Sequence, residues 1–81
     1  MGYHKKHIPK GILGEFSKIK EEFLELEDAH DQEAALLILC ELSDLVGAIR
    51  CYLAKNFERI TFEDICKMAD LTESAFKDGE R

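Results

Sequence analysis

Apolar residues recur at helical intervals through most of the chain. Ile12, Phe16, Ile19, Phe23 and Leu26 advance by steps of four and three. That rhythm places them on one stripe of a first helix, running from about Gly11–Gly14 to about Ala29. His30-Asp31-Gln32 reads as a short turn, with Asp31 the expected cap of the next helix. The second helix, about Gln32 to Asn56, is different in kind. Leu36, Leu37, Ile38, Leu39, Leu42, Leu45, Val46, Ile49, Tyr52 and Leu53 make it apolar around most of its circumference, so it must be covered on several sides. After a break at Asn56 to Ile60, Thr61 reads as an N-cap, with Glu63 and Asp64 favouring the helix dipole. Ile65, Cys66, Met68 and Ala69 form the apolar side of a short helix. A further turn starts at Leu71-Thr72, uses Ala75 and Phe76 as contacts, and ends at Gly79. The expected fold is all-α: a small helical bundle of two long antiparallel helices plus one or two short C-terminal helices. A third apolar side on the second helix calls for completion by oligomerisation.

Composition narrows the class. A chain of 81 residues makes one domain with a limited core, which favours self-association. The longest apolar run, Ala34 to Cys40, is too short to span a bilayer, and no charged-then-apolar signal opens the chain, so a cytoplasmic location is expected. A net charge of −6 argues against a nucleic-acid polymer as partner but leaves room for a phosphorylated small molecule reached through a metal ion. Cys40, Cys51 and Cys66 lack CxxC spacing and are expected to be reduced and at least partly packed. Residues 1–10, MGYHKKHIPK, form a basic lead-in without periodicity, read as a solvated tail ahead of a single domain at 11–81. Lys5, Lys6 and Lys10 in it are candidates for steering phosphate. His4 and His7 have no matching Cys or His cluster and are not expected to bind metal.

The chemistry concentrates between Lys20 and Asp44. Glu22 and Glu25 are three apart, and so are Glu41 and Asp44. Residues at i and i+3 share a helix side, so antiparallel helices can turn the two pairs toward each other. Converging carboxylates repel unless a divalent cation sits among them, and Mg²⁺ or Mn²⁺ takes such hard oxygen ligands. The competing reading is a solvated acidic face, to which Glu15, Glu27, Asp28 and Asp31 are assigned. Glu41 and Asp44 fit solvent poorly, because their helix is otherwise largely apolar and charge amid apolar surface is costly.

The pattern Glu21-Glu22-x-x-Glu25 followed by Glu41-x-x-Asp44, within SKIKEEFLELEDA and ELSDLVGAIRCYL, resembles the MazG-type all-α nucleoside triphosphate pyrophosphohydrolases. The tail LTESAFKDGER resembles the ends of small phage-encoded members. The resemblance implies a dimer or tetramer, with Mg²⁺ (or Mn²⁺) on Glu22, Glu25, Glu41 and Asp44 and with Glu21 supporting. It implies cleavage of a (d)NTP between the α and β phosphates to a monophosphate and pyrophosphate, with Glu22 or Glu25 as general base. Lys18, Arg50 and Lys55 are candidates for phosphate contacts, and Tyr52, which shares the acidic face, for a base pocket or the core. Two alternatives remain open. One is a non-catalytic helical protein that uses its apolar second helix to dimerise or bind a partner. The other is hydrolysis of a related nucleotide such as phosphoribosyl-ATP or an alarmone.

Overall fold

The structure is a computed structural model that describes residues 4–79, and its three helices are α1 (Phe16–Asp31), α2 (Ala35–Asn56) and α3 (Phe62–Lys77). No strand interrupts them among the described residues. The turn between α1 and α2 closes by Gln32 N–H donating to the Asp28 carbonyl (3.0 Å) and Ala34 N–H to the Ala29 carbonyl (3.2 Å). Glu33 takes a left-handed conformation there (φ 56°), the usual way to stop a helix and reverse the chain. At the far end the Asn56 amide donates to the Gly14 carbonyl (3.1 Å), so α2 returns to the start of α1 and the pair is an antiparallel hairpin. Asp31 therefore ends α1 rather than capping α2, whose N-cap is Ala34. Asp31 instead holds the Lys6 ammonium at 2.6 Å.

The face that α1 turns inward is not its apolar stripe. Its buried residues are Glu21, Glu22, Asp28 and Ala29, while Phe16 and Phe23 are more than half exposed. On α2 the buried residues are Glu41, Ala48 and Leu53. The hairpin seam is thus lined by acids, two alanines and Leu53, and most other large apolar groups lie to its sides. Cys40 and Cys66 are exposed free thiols and Cys51 is half-buried, so the expectation of packed cysteines holds only for Cys51.

The C-terminal region forms one continuous helix rather than two short ones. Thr61 and Asp64 close a reciprocal capping box: the Asp64 N–H donates to Thr61 Oγ1 (3.1 Å) and the Thr61 N–H to Asp64 Oδ2 (2.9 Å). Thr72, expected to begin a separate turn, sits within this helix. No residue of α3 is buried. Its contact with α2 is made near its start, where the Arg50 guanidinium lies 4.9 Å above the Phe62 ring.

The lead-in is not a free tail. Lys5 N–H donates to Asp28 Oδ2 (3.0 Å), and Gly11 N–H donates to Glu21 Oε1 (2.8 Å), which lays the described part of the segment along α1. Gly11 runs so close to α1 that a methyl group in its place would overlap the Ser17 carbonyl. Since α3 has little tertiary support, its stability rests on its cap. We expect Thr61→Ala to destabilise α3 by about 1 kcal/mol, read as faster amide exchange in α3 with the hairpin amides unchanged; equal acceleration in both would contradict this.

Candidate metal centre

The acid-bearing positions converge as their spacing requires. One oxygen from each of Glu22, Glu41 and Asp44 lies within 4.8 Å of the others, and the same holds for Glu21, Glu22 and Glu25. Glu41 and Glu25 form a third such group with an unexpected member, the imidazole of His4. All four expected metal ligands therefore belong to one connected cluster in the hairpin seam. Glu22 and Glu41 are buried and Glu25 is half-buried, but Asp44 is exposed rather than enclosed by apolar surface.

Each acid has a different environment. Glu21 Oε1 accepts from Gly11 N–H and from the Lys18 ammonium (3.1 Å), while Lys18 also reaches Glu22 Oε2 at 3.1 Å. Burial pushes the Glu21 carboxyl up, but these donors outweigh it and hold it below its ordinary value. Glu21 thus ties the lead-in to α1. Glu25 has only the His4 imidazole beside it, at 3.2 Å: burial, then the charge of Glu22, a hydrogen bond with Glu21 and the charge of Glu41 push its carboxyl up to about 7. Glu41 has one oxygen against His4, while its other, Oε1, is buried without a hydrogen-bond partner among the described residues. A buried carboxylate oxygen left without a donor is costly. Hard oxygen donors, a carboxyl raised by its neighbours' charge and a buried oxygen without a donor in one seam fit a divalent cation.

Two residues of this seam escaped sequence reasoning. Asp28, assigned to solvent, is 2% exposed and accepts from His4 Nδ1 (2.9 Å), Lys5 N–H and Gln32 Nε2. Its signal lay in the row Glu21, Glu25, Asp28, Gln32, which repeats the four-and-three step of a helix face. Burial pushes the Asp28 carboxyl up, but the donors from His4, Lys5 and Gln32 prevail and hold it below its ordinary value. His4 was set aside for want of other His or Cys, yet its Nε2 lies 3.0 Å from Glu41 Oε2 and 3.2 Å from Glu25 Oε2. Burial draws its pKa down, but Asp28 and Glu41 raise it above its ordinary value overall. No periodicity in the lead-in signals this contact.

Of the expected substrate contacts, Lys18 is at the acids. Lys55 instead sits 3.6 Å from Glu15, and Arg50 stacks on Phe62. The Tyr52 ring is half-buried and packs 6.2 Å from that of Phe57, which is itself about half exposed. Two cavities flank the seam. One, of about 550 Å³, is lined by Lys6, Lys10, Glu25 and Glu41 among others; the second, of about 420 Å³, by Lys18, Glu22, Ser43 and Asp44 among others. No protein-family model matches the chain, and neither a curated protein nor a solved structure matches it significantly.

The raised Glu25 carboxyl fixes the sign of a pH effect. A carboxyl whose folded value lies above its unfolded one favours folding when protonated, so stability falls as pH rises from 4.5 through about 7. A cation in the seam opposes that loss. Mn²⁺ should therefore raise Tm distinctly at about pH 8 and little at about pH 5, and Glu25→Gln should raise the metal-free Tm at the higher pH. An equal Mn²⁺ effect at both pH values would refute the seam as the binding place.

Proposed function

We propose that this chain is a metal-dependent nucleoside triphosphate pyrophosphohydrolase that converts a (d)NTP to a (d)NMP and pyrophosphate. The observation that carries this is the connected cluster of Glu22, Glu25, Glu41 and Asp44 across an antiparallel hairpin, with one Glu41 oxygen left unsatisfied. The likeness of EExxE and ExxD to MazG-type enzymes supplies the reaction class. Glu22, Glu25, Glu41 and Asp44 would hold a divalent ion, which would supply positive charge against the triphosphate oxygens and make bound water more acidic. Glu25, the half-buried member of the cluster, would take the proton from the attacking water as general base. The water oxygen bonds to a phosphorus at the α–β bridge, the bridging P–O bond breaks, and monophosphate and pyrophosphate leave. Lys18 lines the same cavity as Glu22 and Asp44, and Lys6 and Lys10 line the cavity with Glu25 and Glu41, so each cavity carries lysine beside the acids.

The active form we propose is a homodimer or homotetramer. A compact monomer of this mass exposes about 5,000 Å², whereas this chain exposes 6325 Å². Leu36 and Leu39 on α2 are 80% and 62% exposed, and Met68, Leu71 and Phe76 on α3 are similarly bare. That same exposure favours the second reading, a helical partner-binding protein without catalysis. A nucleotide panel with Mg²⁺ or Mn²⁺, including phosphoribosyl-ATP and an alarmone, separates the two and names the substrate. Asp44→Ala should abolish Mg²⁺-dependent pyrophosphate release with helicity retained, and Glu25→Gln should slow it by about 100-fold or more. Turnover by Asp44→Ala at the wild-type rate would sink the assignment. Light scattering should give a multiple of 9.3 kDa, reduced to the single-chain mass by Leu36→Glu with Leu39→Glu; a monomeric wild type would refute the assembly.

A further inference from the structure

We infer that His4 is a metal ligand and Asp28 its positioning residue, so that the seam takes a mixed nitrogen–oxygen donor set suited to a divalent transition ion. The inference deepens the proposed metal site and rests on its carboxylates Glu25 and Glu41, though not on the nucleotide chemistry. The geometry at His4 is that of an oriented ligand. Nδ1 faces Asp28 Oδ2 at 2.9 Å, and Asp28 is itself fixed by Lys5 N–H and Gln32 Nε2, so the proton belongs on Nδ1 and the ring cannot swing. A carboxylate behind a histidine in this way sets the tautomer and strengthens the opposite nitrogen as a donor to metal. That nitrogen, Nε2, points between Glu41 Oε2 and Glu25 Oε2, at 3.0 and 3.2 Å.

A cation entering here would take the place of the Nε2 hydrogen that bonds these carboxylates, and three donor atoms would then converge on it. Ligand bonds of about 2.1 Å meeting at right angles put neighbouring ligand atoms about 3.0 Å apart, close to the 3.0 and 3.2 Å from Nε2 to the two carboxylates. Glu41 Oε1 is a second, independent observation: its residue is 5% exposed and lines the cavity beside His4, that oxygen has no donor among the described residues, and a cation taking Glu41 through both oxygens would satisfy it. Imidazole nitrogen favours borderline ions such as Fe²⁺, Co²⁺ and Zn²⁺ over Mg²⁺, which prefers oxygen and retained water; Mn²⁺ is harder than those ions but accepts nitrogen more readily than Mg²⁺ and so serves as the spectroscopic probe. The lead-in therefore supplies the residue that shifts a carboxylate site from Mg²⁺ toward those ions.

The test uses Mn²⁺ alone, with no nucleotide, on the full chain. Electron spin echo modulation of the Mn²⁺ complex should show nitrogen-14 coupling in the wild type and none in His4→Gln. Mn²⁺ affinity should fall about tenfold or more in His4→Gln, with Mg²⁺ affinity nearly unchanged. Asp28→Asn should keep the nitrogen coupling while weakening Mn²⁺ by a similar factor, a pattern that mere loss of folding would not give. Absence of nitrogen coupling in the wild type, its persistence in His4→Gln, or tighter Mn²⁺ binding by His4→Gln would each overturn the inference; the last would make His4 a counter-ion that blocks the site. Wild-type protein that shows the coupling but hydrolyses no nucleotide would refute the proposed function and leave this inference standing. Turnover without the coupling would do the reverse.

Discussion

The electrostatics of the α1–α2 seam decide most of what this small chain can be. Glu21, Glu22, Glu25, Asp28 and Glu41 are drawn into one hairpin interface with Asp44 at its edge, and the groups set against them are chiefly Lys18 and His4. A soluble helical hairpin normally buries leucine and phenylalanine in that place. Here the acids occupy the seam and most large apolar groups are displaced outward. Carboxylates so placed destabilise the fold unless compensated, and a protein retains such an arrangement where the compensation is itself useful. The bare apolar flanks and the acid-lined interior are thus two sides of one choice of helix rotation.

That choice explains why the lead-in matters. Its contacts run almost entirely to acids of the seam: His4 and Lys5 to Asp28, Lys6 to Asp31, Gly11 to Glu21. Without them Asp28 would be a buried carboxylate lacking most of its donors. The basic segment is therefore part of the interior in an electrostatic sense, although it belongs to no helix.

Much of the fold was legible in the sequence because helices announce themselves by period. The two long helices, their antiparallel return, the cap at Thr61 and the acid pairs at Glu22/Glu25 and Glu41/Asp44 all follow from spacing. What was not legible is rotation. The stripe from Ile12 to Leu26 marks the apolar side of α1, but whether that side meets α2 or another surface depends on what else competes for the seam, and periodicity does not rank the two. Asp28 was misplaced for that reason, as was the burial expected of Cys40. His4 was invisible for another: a contact 37 residues away to Glu41, made from an aperiodic segment, leaves no local trace. The split of the C-terminal region was misjudged because Thr72 is a good cap in isolation, whereas one capping box at Thr61 suffices to carry the helix through it.

The tight turn at Glu33 has a kinetic consequence. It joins α1 to α2 through residues 32–34 alone, so the helix-to-helix part of the seam closes over a short connection. Repulsion among the acids is met in that same step, not after it. A cation that relieves it would lower the folding barrier as well as the energy of the folded state, making hairpin closure faster in the presence of the ion.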